Sequence, residues 1–391
     1  DIYLQKFADA AEKNGVEVHW AKDAEEFNEI VYGILKDNNA KKMVKSKSML
    51  TEECDMNPYL EARGIEVVET DLGERILQLA EQKPSHIVVP ATHLTHDDVG
   101  ELFEKELATE KGNHDPTYLT YQARLSLRDE FLTADAGMTG ANFGIAETGD
   151  IVVCTNEGNA DMSTSIPDLQ IAAIGLEKII PDYECLSVFV RLLARSATGQ
   201  PSTTYTSHFR KARPGAKKMH IVIVDNGRSK WLADDDHWET LKCIRCGVCM
   251  NSCPVYRWSG GYSYSFFIPG PLGINLGMLH DPKKYSGNVS ACTLCLGCQG
   301  VCPVKINLGE QIYKWRQTLD SLGEANPQKK MMCKGMDFVF DNPSVYNFAT
   351  SSAHLLNHLP SFILNNGLNP WAYAHKMMKF PRKPFHNEEK S

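Results

Sequence analysis

Two stretches of the chain carry an unusual density of thiols. Residues 243–256 read CIRCGVCMNSCPVY and residues 292–305 read CTLCLGCQGVCPVK, so each holds the pattern C-x2-C-x2-C-x3-C-P. Three cysteines at this spacing can wrap one corner of an iron–sulfur cubane from a single loop, leaving its fourth iron to be held from elsewhere. In two-cluster ferredoxins the fourth cysteine of each run crosses to the other cluster. The expected ligand sets are therefore Cys243, Cys246, Cys249 and Cys302 for one 4Fe–4S cluster, and Cys292, Cys295, Cys298 and Cys253 for a second. Structural zinc is the competing use of clustered thiolates, at paired C-x2-C spacing. Three thiols at that interval and a fourth before proline, given twice, fit it poorly. Gly247 and Gly297 are expected to let backbone amides turn toward sulfur, and Pro254 and Pro303 to fix the chain past the crossing ligand. Two linked clusters read as a wire for single electrons.

The source and sink of that wire are not evident. No G-x-G-x-x-G follows a strand and opens a helix, and the GPLGINLG between the cysteine runs lacks that context. There is no P-loop, C-x-x-C-H haem site or nucleophile elbow.

Candidate ligand contacts lie upstream. The stretch GMTGANFGIAETGDIVVCTNEGNADMS, residues 137–163, punctuates short β-runs with glycine-rich loops that could hold a carboxylate or phosphate. Asn142, Glu147, Thr148, Asn156, Glu157 and Asn159 are its candidate contacts, with ordinary turn roles as the alternative. In KKMVKSKSMLTEE, Lys45 and Lys47 lie between a short strand and a helix opened by Ser48 or Thr51, a usable anion site or else a solvated lysine face. His86, His93 and His96 have no metal-binding spacing and read as structural or surface histidines. Cys54, Cys154, Cys185 and Cys333 read as ordinary cysteines.

The elements that position these residues change character along the chain. To about residue 225, helical periodicity alternates with the β-branched runs VEVHW, IEVVET, HIVVPA, GDIVVCTN, LQIAAIG and MHIVIVDNG. This predicts an α/β domain with a mostly parallel sheet, interrupted over 95–134 by two consecutive helices. The expected divisions are an α/β domain over 1–230, a two-cluster ferredoxin-type α-helical domain over 231–312, and a helical extension over 313–391 ending in a disordered tail. The segment RWSGGYSYSFFIPGPLGINLG between the cysteine runs is expected to be an irregular cover over a cofactor.

Composition bounds the setting. The 391 residues suffice for two or three domains, and 41 basic against 49 acidic side chains, net −8, argue against nucleic acid or an anionic membrane surface as main partner. No apolar run reaches the ~18–20 residues of a membrane span, and the first residues read as a polar amphipathic helix without a signal-peptide core. The expectation is a cytoplasmic protein, with peripheral attachment through a partner left open.

The segments KSKSMLTEE, IEVVETDLGERILQLA, PSHIVVPATH, TGANFGIAETGDIVVCTNEGN and DNGR, followed by the paired cysteine runs, resemble the lactate utilisation protein B family over nearly the whole chain. The resemblance implies an α/β fold of the sugar-phosphate isomerase and CoA-transferase class. It also implies L-lactate oxidation to pyruvate with two companions, a cysteine-rich iron–sulfur subunit and a smaller subunit sharing the LUD-type α/β domain. All eight cluster cysteines carry over, and no catalytic residue does. The leading expectation is an electron-transfer subunit that is active only with its companions. Two others stand beside it: an α/β domain that is itself the carboxylate-binding enzyme, with Glu147 as acid or base, and a redox or metabolite sensor.

Overall fold

The runs LQIAAIG and KMHIVIV are apolar at nearly every position, as strands must be when both faces of a sheet are covered. In the computed structural model, which describes residues 1–213, 216–323, 327–366 and 378–382, they lie side by side at the centre of a parallel sheet. The strands in chain order are β1 (Glu17–Ala21), β2 (Lys42–Lys45), β3 (Glu66–Glu69), β4 (Ala136–Gly140), β5 (Phe143–Ile145), β6 (Asp150–Thr155), β7 (Leu169–Gly175), β8 (Ile179–Ile180), β9 (Tyr205–Phe209) and β10 (Lys218–Val224). Six form the parallel sheet in the order β1-β10-β7-β4-β2-β3.

Alternation along β7 and β10 sends Ile171, Ala173, Val222 and Val224 into one core, with Phe27, Val31 and Leu35 of the helix Ala24–Asp37. Ala172, Ile174, Ile221 and Ile223 enter the opposite core, with Phe7 and Ala11 of the helix Ile2–Lys13 and with Ile151, Val153 and Phe209. Those last three belong to a second sheet, ordered β8-β5-β6-β9, in which β6 is antiparallel to both neighbours. The expected parallel sheet is therefore joined by a smaller mixed one, to which GDIVVCTN belongs.

The two helices expected over 95–134 form as His96–Glu106, begun by a Thr95–Asp98 capping box, and Pro116–Thr133, capped by Asp115. Two expectations are corrected. HIVVPA is not a strand: the His86 ring nitrogen Nδ1 accepts from the backbone N–H of Val88 and Val89, and Ile87 packs among Cys249, Met250 and Ile268. A side chain that caps its own backbone in this way displaces ladder hydrogen bonds. Nor is GPLGINLG irregular, because it forms most of the helix Gly270–His280, whose first nine residues are buried. Being apolar all round, it is the central helix of the cysteine region.

That region adds the short helices Val248–Ser252 and Gly297–Val301, one after each cysteine loop, and the longer Pro282–Ala291 and Leu308–Ser321. Trp315, Ile312 and Ile274 share one core with Cys249, Cys298 and Cys302, while Cys246 packs in a neighbouring one with Phe143 and Ile145. The chain divides into two compact units, residues 1–319 and 320–391. The second contains the helices Pro327–Asp341 and Pro343–Ser352, and the expected disordered tail lies, from residue 383, outside the described residues. Among the described residues no helix is long and apolar enough to cross a membrane.

Close approach fixes one glycine. A Cβ on Gly137 of β4 would lie 1.5 Å from the Ser163 carbonyl oxygen, whereas one on Gly33, inside the helix Ala24–Asp37, would meet nothing within 4 Å. Gly137→Ala is expected to destabilise the chain by about 1–3 kcal/mol or more, and Gly33→Ala to stabilise it by about 0.5–1 kcal/mol, in urea unfolding. An unchanged midpoint for Gly137→Ala would mean that the helix Asn159–Ser165 does not sit on β4.

Candidate functional site

The two cysteine loops share a backbone solution. Arg245 and Gly247 in the first, and Leu294 and Leu296 in the second, take left-handed conformations, with φ of 61°, 76°, 54° and 61°. Those turns aim the Arg245 N–H at Cys243 Sγ, 3.3 Å away, and the Leu294 N–H at Cys292 Sγ, 3.4 Å away. Ile306 N–H donates to Cys302 Sγ at 3.3 Å. Amides directed at sulfur favour the thiolate over the thiol. The left-handed position in the second loop is thus Leu296 and not Gly297.

All eight cysteines are free of disulfides, and Cys246, Cys249, Cys298 and Cys302 are buried. Burial, with Cys243 and Cys302 as the neighbouring thiols, pushes Cys246 up to about 11. Burial, with Cys292, Cys253 and Cys295 as neighbours, does the same to Cys298. The neighbours of Cys246 thus include Cys302 of the other run, and those of Cys298 include Cys253. An all-sulfur donor set, segregated in two and supplied with N–H donors, fits 4Fe–4S clusters, whose positive iron would reverse the upward pressure on these thiols.

A cation holds the carbonyl of each run's first cysteine. Lys178 Nζ donates to Cys243 O at 2.6 Å, and Arg316 donates to Cys292 O at 2.5 Å. Lys178 comes from the α/β part, where burial, and after it Arg245, pushes its ammonium down to about 8.

At the carboxyl ends of β2, β4 and β7 the parallel sheet opens into a cavity of about 250 Å³, the location where open α/β sheets take ligands. Five of the residues singled out in the sequence meet there: Lys47, Asn142, Asn156, Glu157 and Asn159. Lys47 Nζ donates to Val88 O at 2.7 Å, and Asn142 Oδ1 accepts from Cys154 N–H at 2.8 Å. Asn156 is bonded to Gln200 and Thr204, whereas the buried Asn159 Oδ1 has no partner.

Three others lie outside the cavity. Lys45 is 0% exposed and pairs with Glu69 at 2.7 Å and Glu52 at 3.4 Å; burial opposes its charge, but these carboxylates and Glu74 outweigh that and hold it above its ordinary range. Glu147 and Thr148 belong to the turn after β5, at the opposite end of that strand from Asn142. There Glu147 is exposed and the Thr148 carbonyl accepts from Asn14. The histidines serve as expected: His86 Nε2 bonds Asn251 Oδ1 at 3.2 Å, pinning its loop to the first cysteine run, and His93 is held by Ser85 and Gln82.

The cavity's inner wall was not evident in the sequence. Arg228, 2% exposed, donates to Glu177 at 2.6 Å and to both oxygens of Glu53 at 2.9 and 2.8 Å. Glu177 also faces Arg245 at 3.7 Å. Arg245 lines the cavity from within the first cysteine loop, so cavity and loop share a residue. A second cavity, of about 450 Å³ and walled by Phe143, Phe189, Ile244 and Val304, shares Glu177 and Lys178 with the first and includes Cys243. The DNGR segment was the available signal for Arg228; its partners become visible only once the strands are ordered.

Residues 4–227 match the LUD domain and residues 239–306 match the 4Fe-4S dicluster domain. The chain is similar to lactate utilization protein B of Oceanobacillus iheyensis, 44% identical over 90% of this chain and 75% of that one. It is likewise similar to that of Geobacillus thermodenitrificans, 44% identical over the same shares, and to that of Anoxybacillus flavithermus, 41% identical over 97% of this chain and 80% of that one. A crystal structure of a DUF162 family protein from Deinococcus radiodurans matches 57% of this chain and 96% of its own, at 15% identity and a TM-score of 0.32.

Arg228→Met should leave Glu53 and Glu177 buried without their main counter-ion, lowering stability by about 3–5 kcal/mol in denaturant unfolding. A loss below about 1 kcal/mol would mean that the two carboxylates reach water or another cation.

Proposed function

Since the chain belongs to the lactate utilization protein B family and carries a LUD domain followed by a 4Fe–4S dicluster domain, we propose that it is the electron-transfer subunit of a cytoplasmic complex oxidising L-lactate to pyruvate. Its companions are a cysteine-rich iron–sulfur subunit and a smaller LUD-domain subunit, and the parallel sheet is read as one of the sugar-phosphate isomerase and CoA-transferase class. Converting the 2-hydroxy acid to the 2-oxo acid removes two electrons and two protons. When bound, the clusters supply carriers that take electrons singly.

The observation that carries this reading is Arg245, which walls the carboxyl-edge cavity with its side chain and donates its backbone N–H to Cys243 Sγ at 3.3 Å. No stretch of intervening protein separates the cavity from the first cysteine loop. Lys178 and Arg316 fix the two loops through their first carbonyls, and His86 ties its own loop in the α/β part to Asn251 of the first run. These contacts would restrain the loops, as a low reorganisation cost during electron transfer requires.

The proposed ligand sets are Cys243, Cys246, Cys249 and Cys302, and Cys292, Cys295, Cys298 and Cys253. Anaerobic reconstitution with iron and sulfide should give two interacting reduced 4Fe–4S signals by electron paramagnetic resonance. Lactate should elicit them only when the companions are present; failure to do so in the complete complex would refute the electron-transfer role. The crossed assignment is tested separately. Cys302→Ser should perturb the same signal as Cys243→Ser, although it lies in the other run, and Cys253→Ser the same signal as Cys292→Ser. Pairing of Cys302 with Cys292 would overturn the crossing.

A further inference from the structure

The innermost wall of the carboxyl-edge cavity is built from charge. Arg228, Arg245 and Lys178 stand there with Glu53 and Glu177, three cations with two carboxylates. Every nitrogen of the Arg228 guanidinium is engaged, with four hydrogen bonds to Glu53, Glu177 and the Asp225 carbonyl, and it bonds Glu53 through both oxygens. Arg245 is not so engaged. Its Nη2 lies 3.7 Å from Glu177 Oε1, too far for a hydrogen bond, and its buried Nη1 has no partner. Buried guanidinium nitrogens are ordinarily paired. In the same cavity the amide of Asn159, 6% exposed, leaves Oδ1 without a donor. An unfilled cationic fork and an unfilled acceptor complement a molecule with one carboxylate and one hydroxyl. A volume of about 250 Å³ falls below the ~300–1,000 Å³ of drug-sized sites and suits a small metabolite.

We infer that Arg245 is the carboxylate anchor of this cavity: a small 2-hydroxy monocarboxylate binds with its carboxylate on the Arg245 guanidinium and its hydroxyl donating to Asn159 Oδ1. The assignment rests on the electron-transfer reading above and adds to it where, and through which residues, the acid is held. The 3.7 Å contact with Glu177 restrains the guanidinium weakly, so it can turn to the ligand, and a bidentate arginine–carboxylate pair is the geometry that guanidinium provides and lysine does not. Lys47 is a weaker candidate for the anchor because its ammonium already donates to the Val88 carbonyl. The hydroxyl contact would favour 2-hydroxy acids over acids lacking that donor.

The competing role for Arg245 is to offset the negative charge of the first cluster without touching a ligand. Calorimetric titration of the reconstituted full-length chain with L-lactate and with propionate separates the two. Expected are lactate binding at least tenfold tighter than propionate binding, a tenfold or greater loss of lactate affinity in Arg245→Gln, partial recovery in Arg245→Lys, and loss of the preference over propionate in Asn159→Ala. Iron and sulfide content shows that each variant is loaded and folded. Lactate affinity unchanged in Arg245→Gln, with only the potential of the first cluster displaced, would overturn the anchor. So would the absence of lactate binding to the loaded chain when the complex with its companions binds it, and this would leave the electron-transfer reading standing. Lactate held at Arg245 in a complex whose clusters are never reduced by it would instead sink that reading and leave the anchor in place.

Discussion

Glu177 stands between two arginines from different parts of the chain, Arg228 just beyond β10 and Arg245 inside the first cysteine loop. A carboxylate this buried is expensive to desolvate and is tolerated only where cations meet it. Here Arg228, and after it Lys178 and Arg245, hold it below the ordinary carboxylate range against burial. The same Arg228 closes on Glu53, which ends the helix Met49–Glu53 after β2. One chain of charges thus ties the carboxyl edge of the parallel sheet to the loop that begins the cysteine region. The relative placement of sheet, cavity and loop depends on it, since a displaced partner would leave a buried charge unmatched.

Around this anchor the cysteine region is a core built on sulfur. Three of its eight clustered cysteines, Cys249, Cys298 and Cys302, are buried with Ile274, Leu276, Ile312 and Trp315, and the largely apolar helix Gly270–His280 runs through the middle. In the absence of metal such thiols are pressed toward their neutral form, as Cys246 and Cys298 show. The amides of Arg245, Leu294 and Ile306 oppose that pressure locally. Folding of this region and cluster assembly are accordingly linked, because binding free energy at a thiolate site is also folding free energy.

What could be read from the sequence followed from how local each signal is. Cysteine spacing is a property of one loop, and the apolar runs of β7 and β10 report burial on both faces without reference to a partner. Lys45 shows the limit: the β2–β3 register places it opposite Glu69, so a lysine that looked free for an anion is consumed by a cross-strand pair. Its neighbour Lys47, beyond the strand end, reaches the cavity instead. HIVVPA has strand composition, yet its backbone N–H groups go to His86 and its isoleucine to the cysteine core, which is a tertiary override of β-propensity. Leu296 in place of Gly297 at the left-handed position could not be foreseen either, because glycine is the default there and leucine accepts strain. Arg245 lay in plain view between two cysteines, and only the folded position of Glu177 shows that its side chain belongs to a cavity.

The two cysteine loops, so alike in backbone, have different surroundings. The first is enclosed by the α/β part: Lys178 on its carbonyl, His86 on its helix, Ile87 against Cys249, and Arg245 at the cavity. The second is held by Arg316 from the helix that follows it, with Cys295 exposed and Leu296 and Val301 at 50% and 41% exposure. The proposed electron transfer would need an inner end that meets the donor and excludes water, and an outer end that a partner can approach closely. The inner loop satisfies the first condition because its cations are already committed to a cavity on the same chain. On that reading the outer loop suits the second, because the exposed Cys295 lies beside the part-exposed apolar side chains of Leu296 and Val301. On the proposed reading, duplicated loops in unequal settings would give this chain the polarity that a wire between two different partners requires.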